Sequence, residues 1–396
     1  MDIVNKDGGT VYSIRKLRMP NILFGSDTIK EIGKEIQKLH GKKVMVITDK
    51  YIVKLGLLNK AIQAMEKEGL EIALFEDVEF EPTIEMVEKA LKAIRKNSYD
   101  IIIGLGGGSV LDAAKVLACL VTNEGQVRDY VGANMIRKHG LPFILVPTTG
   151  GTGSEVSPNG VFIDETDGNK KLISDDKLFP DLAIVDPLLT LSVPSKLTAY
   201  TGMDALCHAM GCYISKKANP LTDAIAIEAI DRISHNLRPA VFKGQEDVEA
   251  RYNMSLGATM GMIARVNSGG GAVHGLSYPL GTKYHLPHSQ SIALLMPHVM
   301  EFNLTSAVPK FARIAKAMGE KVKDLGEEKA AERAPECIKK LEGDIGILQG
   351  LREFGVKKED FPEFAEIVYK FSYRHIDVNP RMLSKQDIIK IYEMAW

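Results

Sequence analysis

One carboxylate and three imidazoles occur in two short segments of the chain, in a pattern that suits a metal ion. They are Asp204, His208, His274 and His288. Asp204 and His208 are four residues apart, and a helix brings such positions onto one face, so the pair can bind an ion from one side. This ligand set suits a divalent transition metal such as iron, zinc, cobalt or nickel, and does not suit calcium or magnesium. The residues predict a metal site on condition that the two segments meet in space.

The second pair of histidines must reach this site from separate elements. The segment between His274 and His288 contains Pro279, Gly281 and Pro287, which predicts that it is interrupted and is not one helix. The ligands then have to converge from different parts of the chain, which no local pattern can establish.

The other histidines receive different interpretations. His298 lies in an apolar run and is interpreted as a core residue. For His285, three residues before His288, two interpretations stay open: a structural residue, or a proton acceptor in the same cleft. The remaining four are interpreted as structural residues of polar loops or helix ends: His40, His139, His235 and His375.

A glycine-rich segment, 104–115, follows a buried apolar run and opens a helical pattern. Glycine lets the backbone approach an anion, and a helix N-terminus offers free N–H groups with a partial positive charge. A second polar loop, Pro147-Thr-Thr-Gly-Gly-Thr-Gly-Ser-Glu, follows the next apolar run. Ligands of open α/β sheets bind at the carboxyl ends of strands, so the two loops together favour a phosphate site over a plain tight turn.

The placement of this loop departs from the usual dinucleotide-binding fingerprint. That fingerprint occupies the first strand–helix turn, with its ribose-binding acid about 20 residues downstream. Here the loop comes several strands in, and the candidate acid, Asp49, ends an earlier strand. A carboxylate there can accept hydrogen bonds from the ribose hydroxyls of NAD and would repel the 2′-phosphate of NADP. The alternative for Asp49 is a helix cap before Lys50.

Composition excludes several classes of protein. The 396 residues predict two or three domains, and contents of 45% apolar and 26% charged residues are typical of a soluble globular protein. A formal net charge of −1 gives no basis for binding nucleic acid or an anionic membrane. The chain starts without an apolar signal core, and its four cysteines form no CxxC pair, so we expect a cytoplasmic protein with reduced thiols.

Hydrophobic periodicity divides the chain into two unlike halves. Up to about residue 190, short β-branched runs alternate with amphipathic helical patterns, and residues 159–174 are typical of a hairpin. Beyond Pro194, helical patterns dominate. We therefore predict an α/β domain over 1–192, built on a doubly wound, mainly parallel sheet, and an all-α domain over 193–396.

Five motifs in order resemble the iron-containing (group III) alcohol dehydrogenase family over nearly the whole chain, with its dehydroquinate synthase-like architecture. They are the loop from Gly106, the loop from Pro147, Gly202-Met-Asp-Ala-Leu-Cys-His-Ala, the stretch 274–288 and Leu295-Met-Pro-His-Val-Met-Glu-Phe-Asn. The resemblance implies that Asp204, His208, His274 and His288 bind one divalent metal, usually Fe(II), with zinc as the alternative. It also implies NAD(H) rather than NADP(H), and a homodimer or larger homo-oligomer.

The same resemblance implies a set of cofactor-binding residues. These are Asp49, Gly106, Gly107, Gly108, Ser109, Asp112, Thr148, Thr149, Thr152, Asn159 and Lys170. Two positions depart from the family. Tyr278 stands where many members carry a further histidine, thought to position substrate or relay a proton, and Glu81 stands where members often have asparagine.

The implied activity is reversible hydride transfer between NAD(H) and a short-chain primary alcohol or diol and its aldehyde. The metal would act as a Lewis acid on the substrate oxygen, with Tyr278 and His285 as further candidate catalytic residues. Alternatives that stay open are a glycerol-type polyol dehydrogenase and a hydroxyacid–oxoacid transhydrogenase. A non-catalytic NAD-binding sensor is the alternative from another class, and it would tolerate loss of the metal ligands.

Overall fold

The first half of the chain carries all the strands. The computed structural model describes residues 3–4, 10–11 and 16–396. Its strands are β1 (Ile3–Val4), β2 (Thr10–Val11), β3 (Asn21–Phe24), β4 (Lys43–Ile47), β5 (Glu71–Phe75), β6 (Ile101–Gly106), β7 (Gly132–Ala133), β8 (Phe143–Pro147), β9 (Asn159–Ile163), β10 (Lys170–Ser174) and β11 (Leu182–Val185).

Helices flank these strands and then make up the second half. The first five are α1 (Ile32–Lys38), α2 (Lys50–Lys54), α3 (Asn59–Lys67), α4 (Ile84–Ile94) and α5 (Gly108–Leu120). The second half contains α6 (Ser195–Ile214), α7 (Pro220–Phe242), α8 (Val248–Ser268), α9 (Ala272–Tyr284), α10 (His288–Asn303), α11 (Val308–Ala317), α12 (Glu327–Asp344), α13 (Phe361–Phe371), α14 (Tyr373–Asp377) and α15 (Lys385–Ala395).

The main sheet has six strands in the order β3-β11-β8-β6-β4-β5, and each pairs in parallel with its neighbours. Its strands are apolar on both faces because helices cover both. In β6, Ile102 packs into the core under α4 and α5, whereas Ile101 and Ile103 pack into the core under α1 and α3. This confirms the predicted doubly wound parallel sheet.

The predicted hairpin over 159–174 is confirmed as well. Strands β9 and β10 pair antiparallel, with Lys170 opposite Ile163, and β7 adds to β10 in parallel. They form a small separate sheet that stands beside the carboxyl ends of the main strands and carries Asn159 and Lys170 at the two ends of the pairing.

The second half is helical, and one of its helices corrects an expectation. The stretch 274–288 is not one helix, as predicted, but the break lies at 285–287: Pro279 lies inside α9, which runs from Ala272 to Tyr284. The hydrogen bond that a proline removes is offset by packing, since Leu276 and Leu280 on this helix are fully buried in the helical core. No described helix is both long and apolar enough to pass through a bilayer.

The loop after β8 joins the two halves by close packing. A Cβ on Gly153 would lie 2.3 Å from Cβ of Met262 on α8, and a Cβ on Gly151 would lie 2.5 Å from Cβ of Thr201 on α6. Gly153 also has φ +63°, which favours glycine. The polar loop is therefore clamped between the sheet and the helices, at the edge where the strands of the main sheet end.

Candidate metal and cofactor site

A cavity of about 1160 Å³ lies between the carboxyl edge of the main sheet and the helical half. The glycine-rich loop and the polar loop after β8 line one side, and α6, α8, α9 and α14 line the other. This is the position at which open α/β sheets bind ligands. Both groups of residues singled out from the sequence therefore face one space.

Four side chains meet on the helical side. Asp204 and His208 are one turn apart on α6 and share a face of that buried helix. His274 stands in the first turn of α9, and His288 is the first residue of α10. The turn at 285–287 reverses the chain between these helices and brings the two histidines back towards α6.

The distances show how closely these groups approach. One ligand atom from each of Asp204, His274 and His288 lies within 4.8 Å of the other two. The Nε2 atoms of His208 and His274 are each 3.4 Å from Oδ1 of Asp204. The rings of His208 and His274 are stacked, with centroids 4.8 Å apart.

Burial keeps these imidazoles neutral. It is the main cause that lowers the pKa of His208 and of His274 well below the usual range, and it lowers the pKa of His288 to about 4. A neutral imidazole offers a lone pair to a metal, whereas a protonated one cannot. The electrostatics of the site thus favour the ligand form of each side chain at neutral pH.

Buried polar atoms without hydrogen-bond partners in this cluster indicate whether a cation fits there. Within the described part of the chain, Oδ1 of Asp204 and Nε2 of His274 are buried and have no hydrogen-bond partner. Leaving buried polar atoms unsatisfied costs about 1–3 kcal/mol each, and more for a charged group. A carboxylate oxygen and imidazole nitrogens that face each other at 3.4 Å are the donor set that a divalent transition metal uses. The residues fit a metal ion.

The glycine-rich loop leaves room for a ligand at Gly107. This residue precedes α5 with φ −74° and ψ 179°, a conformation open to any amino acid. A Cβ there would meet only Cγ2 of Thr149, at 3.9 Å, so neither neighbours nor backbone demand glycine. Gly108 differs, because a Cβ there would lie 2.9 Å from Thr152. Gly107 thus forms a cradle in front of a helix N-terminus, which fits a phosphate group.

A buried lysine holds the two polar loops together. Lys115 is fully buried, and its Nζ donates to Oγ of Ser154 at 2.8 Å, to the carbonyl of Asn159, and to Oδ1 of Asp112 at 2.9 Å. Oδ2 of Asp112 accepts a hydrogen bond from N–H of Val161 at 2.9 Å. Asp112 lines the cavity, but both its oxygens are engaged inside the protein, so its contribution is to position the loops.

Gly106 is buried at the end of β6 and does not line the cavity, whereas the other cofactor candidates line it near an ion pair. Lys170 Nζ lies 2.8 Å from Oε1 of Glu81, and N–H of Glu81 donates to Oγ of Ser109 at 3.3 Å. Glu81 has φ +54°, a conformation in which asparagine is more common than glutamate. The four other residues that line the cavity here are Thr148, Thr149, Thr152 and Asn159.

Asp49 caps a helix, which is the alternative interpretation proposed for it, and it also lines the cavity. Its Oδ1 accepts hydrogen bonds from N–H of Tyr51 at 2.8 Å and of Ile52 at 2.9 Å, so it caps α2. The residue also lines the cavity. The cap fixes the carboxylate at the end of β4, and its contact with a ribose stays a prediction.

Tyr278 reaches the cluster together with a histidine that the sequence did not identify. Its hydroxyl lies 3.4 Å from Nε2 of His375, a buried residue of α14 whose ring stacks on His274 with centroids 6.3 Å apart. The sequence interpreted His375 as a structural residue of a polar loop or helix end; the structure places it in α14, buried and lining the cavity. Its sequence neighbourhood carries no motif, and α14 delivers it to the cavity through tertiary packing.

His285 lies outside the cleft, so its candidacy as a proton acceptor there was wrong. It is exposed, does not line the cavity, and ends α9 with φ +53°. The left-handed turn at this residue directs the chain into α10, and the three-residue spacing to His288 therefore does not place both on one helical face.

Arg265 is a second cavity residue that the sequence did not identify. It stands in the last turn of α8, and its Nε atom is buried without a hydrogen-bond partner among the described residues. The only hint in the sequence is its place four residues before the three glycines that precede α9.

Comparison with known proteins yields consistent matches along the chain. Residues 20–187 match the family described as iron-containing alcohol dehydrogenase, and residues 198–396 match the C-terminal part of the Fe-containing alcohol dehydrogenase family. The chain is 39% identical to 1,3-propanediol dehydrogenase of Klebsiella pneumoniae, covering 97% of this chain and 100% of the relative. It is 36% identical to an NAD-dependent methanol dehydrogenase of Bacillus methanolicus, covering 95% and 98%. A crystal structure of 1,3-propanediol oxidoreductase superposes with a TM-score of 0.94 at 38% identity, covering 97% and 100%.

Proposed function

The chain belongs to the iron-containing alcohol dehydrogenase family, and from this premise we propose how its residues divide the work of an NAD(H)-linked alcohol dehydrogenase. The enzyme interconverts an alcohol and an aldehyde, with NAD(H) and iron as its cofactors. In the reducing direction, the carbonyl carbon would receive a hydride from bound NADH and its oxygen a proton, which would yield the alcohol and NAD⁺. We propose a short-chain primary alcohol or diol as substrate.

One observation carries the assignment of residues. Asp204 and His274 present unsatisfied buried atoms to each other beside His208 and His288, in the same cavity as the Gly107 cradle. We assign these four side chains as ligands of the metal, which when bound supplies Lewis-acid polarisation of the substrate oxygen.

The cofactor side of the cavity binds by backbone and fixed dipoles. The cradle at Gly107 and the N-terminus of α5 receive the pyrophosphate, and Lys170 adds a positive charge close by. Asp49 receives the adenosine ribose, which makes NAD(H) the better substrate because its carboxylate repels a 2′-phosphate. Thr149 and Thr152 line the side that receives the nicotinamide.

The experiment for this proposal combines elemental analysis with rates. Purified protein should contain about one iron per chain, and it should reduce short aldehydes with NADH at least about 10-fold faster than with NADPH. Asp49→Ser should lower the ratio of the rate with NADH to the rate with NADPH. A metal-free protein with full activity, or equal use of both cofactors unaffected by Asp49→Ser, would contradict these assignments.

Three further properties are proposals on separate grounds. Division into domains 1–192 and 193–396 is supported by the end of β11 at Val185 and the start of α6 at Ser195. A reducing compartment, the cytoplasm, is supported by four buried and unpaired cysteines. The homodimer or larger oligomer is tested by light scattering of the purified protein.

A further inference from the structure

The cations that line the cavity fall into two groups. In the α/β half, Arg18, Lys50 and Lys170 are each paired with a carboxylate, those of Asp176, Asp77 and Glu81. In the helical half, three cations line the cavity and, among the described residues, have no carboxylate within 4.0 Å: Lys217, Arg265 and Arg374. The one carboxylate that this half contributes to the lining is Asp204, assigned above to the metal.

Of these three cations, Arg265 alone has a buried side-chain nitrogen without a hydrogen-bond partner among the described residues. Its side chain is only partly exposed, its Nε is buried without a partner, and its one contact of hydrogen-bond type within the described chain runs from Nη1 to the thioether of Met262, at 4.0 Å. A guanidinium carries five N–H donors, so most of this group's bonding capacity is unused. A partly buried charge in this condition is costly unless an anion completes it.

Arg265 packs against the loop that precedes α9. Its Nε lies over Gly270, where a Cβ would come within 2.5 Å, and Gly270 in turn packs on Gly211 of α6. The loop containing Gly270 leads directly into α9 and His274. The guanidinium thus lies against the segment that leads to a proposed metal ligand.

Arg265 lies on the metal side of the cavity. Gly270, over which its Nε lies, packs on Gly211 of α6 and precedes α9, and these two helices carry Asp204, His208 and His274. The cofactor side has its own cation, since Lys170 is bound to Glu81, whose N–H contacts Ser109 of the glycine-rich loop. Arg374 lies near the same cluster, because its Nε donates a hydrogen bond to Nε2 of His375 at 3.2 Å.

We infer that the substrate carries an oxyanion, a carboxylate or a sulfonate, at the end of its chain remote from the reacting carbon, and that Arg265 binds it. This inference rests on the proposed function and narrows its substrate class. A guanidinium fork matches such an oxyanion with two parallel hydrogen bonds, and Arg374, an exposed residue that also lines the cavity, adds attraction. The oxyanion takes no part in the reaction: the hydride and the proton go to the carbonyl group as before.

A matched pair of aldehydes tests this substrate class. The carboxylate 4-oxobutanoate and the neutral amide 4-oxobutanamide have the same number of heavy atoms, and each is reduced to its alcohol with NADH. We expect kcat/KM for the carboxylate to exceed that for the amide by about 30-fold or more. An aldehyde sulfonate of similar length should likewise exceed the amide, since the guanidinium binds either oxyanion.

Variants of Arg265 show whether that residue is responsible. Arg265→Met should lower the carboxylate-to-amide ratio about 10-fold or more through a higher KM, and Arg265→Lys, which keeps charge without the fork, should give an intermediate ratio. The matched control is Arg333→Met, an exposed arginine of α12 paired with Glu336, which should leave the ratio unchanged.

Binding of succinate, an unreactive carboxylate, separates this inference from the proposed function. Calorimetry on the NADH-loaded protein should detect succinate binding that Arg265→Met weakens. If both aldehydes are reduced equally and succinate does not bind, the inference is overturned while the dehydrogenase activity stands. If neither aldehyde is reduced, the proposed function fails. In that case the oxyanion site is supported if succinate binds and Arg265→Met weakens its binding, and it is overturned if succinate does not bind. A variant that loses affinity for NADH instead would overturn the inference, because Arg265 would then belong to the cofactor.

Discussion

The two sides of the cleft bind their ligands by different means. The cofactor wall (Gly107, Ser109, Thr149, Thr152 and Lys170) uses backbone and short side chains, and its charges are paired or hydrogen bonded inside the protein. The metal wall (Asp204, His208, His274, His288 and Arg265) uses long side chains from four helices, several with unsatisfied buried atoms.

This difference teaches where specificity can change. A phosphate cradle built from backbone keeps its shape whatever the side chains around it, so one cofactor can serve many relatives. On the metal side, the residues around the ligands can differ between relatives while the metal ligands stay the same. Here Tyr278, His375 and Arg265 surround the ligand cluster, and they are the residues that we expect to set the substrate.

The contrast between the cofactor wall and the metal wall would be wrong if the metal wall did not bind metal. His274→Ala removes one imidazole from the cluster, and we expect metal content to fall below about a tenth of an ion per chain and kcat/KM to fall by about 10³-fold or more. Elemental analysis and initial rates with NADH measure the two effects.

The control for this change is His235→Ala on α7, where the imidazole is exposed and pairs with Asp231. That variant should keep its metal and its rate. Native metal content and rate in His274→Ala would mean that the helical side chains do not form a metal site.

The comparison predicts that the cofactor wall depends on internal bonds for its stability. Lys115→Met removes a buried ammonium and leaves Asp112, Ser154 and the carbonyl of Asn159 without their partner. We expect the free energy of unfolding to fall by about 3–5 kcal/mol, measured by denaturant titration.

A lysine at the surface provides the control for this stability change. Lys339→Met breaks an exposed ion pair with Glu301, and such pairs contribute about 0–1 kcal/mol. If Lys115→Met cost no more than Lys339→Met, the buried network would not be holding the polar loops in place.

Adding one methyl group at Gly107 tests whether the cofactor wall binds phosphate at this position. Gly107→Ala places a Cβ in space that the protein leaves open, so we expect the Kd for NADH to rise by roughly 30-fold, about 2 kcal/mol, with metal content unchanged. Fluorescence titration of NADH gives the Kd.

Gly326→Ala is the matched control, since Gly326 also precedes a helix with extended backbone and has nothing within 4 Å of its Cβ position. It should bind NADH normally. An unchanged Kd in Gly107→Ala would place the pyrophosphate elsewhere.

A pH-dependent effect on stability concerns an imidazole outside the cleft. His298 on α10 is mostly buried near Lys339 and Glu301, and burial lowers its pKa to about 4. In the unfolded chain it titrates near 6.5, so between these values the unfolded state binds more protons and stability falls as the pH falls.

Replacing this histidine should therefore reduce acid sensitivity. When the pH falls from 6.5 to 4, the free energy of unfolding should fall in both proteins. The fall should be smaller in His298→Leu than in the wild type, by up to about 3 kcal/mol, measured by denaturant titration at each pH. Its metal content should not change. An equal loss in both proteins would mean that His298 titrates normally in the folded state.

Much of the cofactor wall was readable in the sequence because its parts are local. The glycine-rich loop lies within one strand–helix turn, and the hairpin bearing Asn159 and Lys170 lies within 16 residues. Patterns of period two and short turn motifs report on such neighbours directly. Even Asp49, which caps α2 and lines the cavity, could be placed at a strand end from the apolar run before it.

The amino-acid sequence by itself determined the two-part architecture, the parallel sheet and the types of side chain available for a metal. Tertiary structure alone decided which of them meet: it kept α9 helical through Pro279, turned His285 out to solvent, and brought His375 and Arg265 to the metal wall. The physical reason is that local backbone preferences act over a few residues. The position of a side chain from a distant helix depends instead on how buried surfaces pack, to which residues throughout the chain contribute.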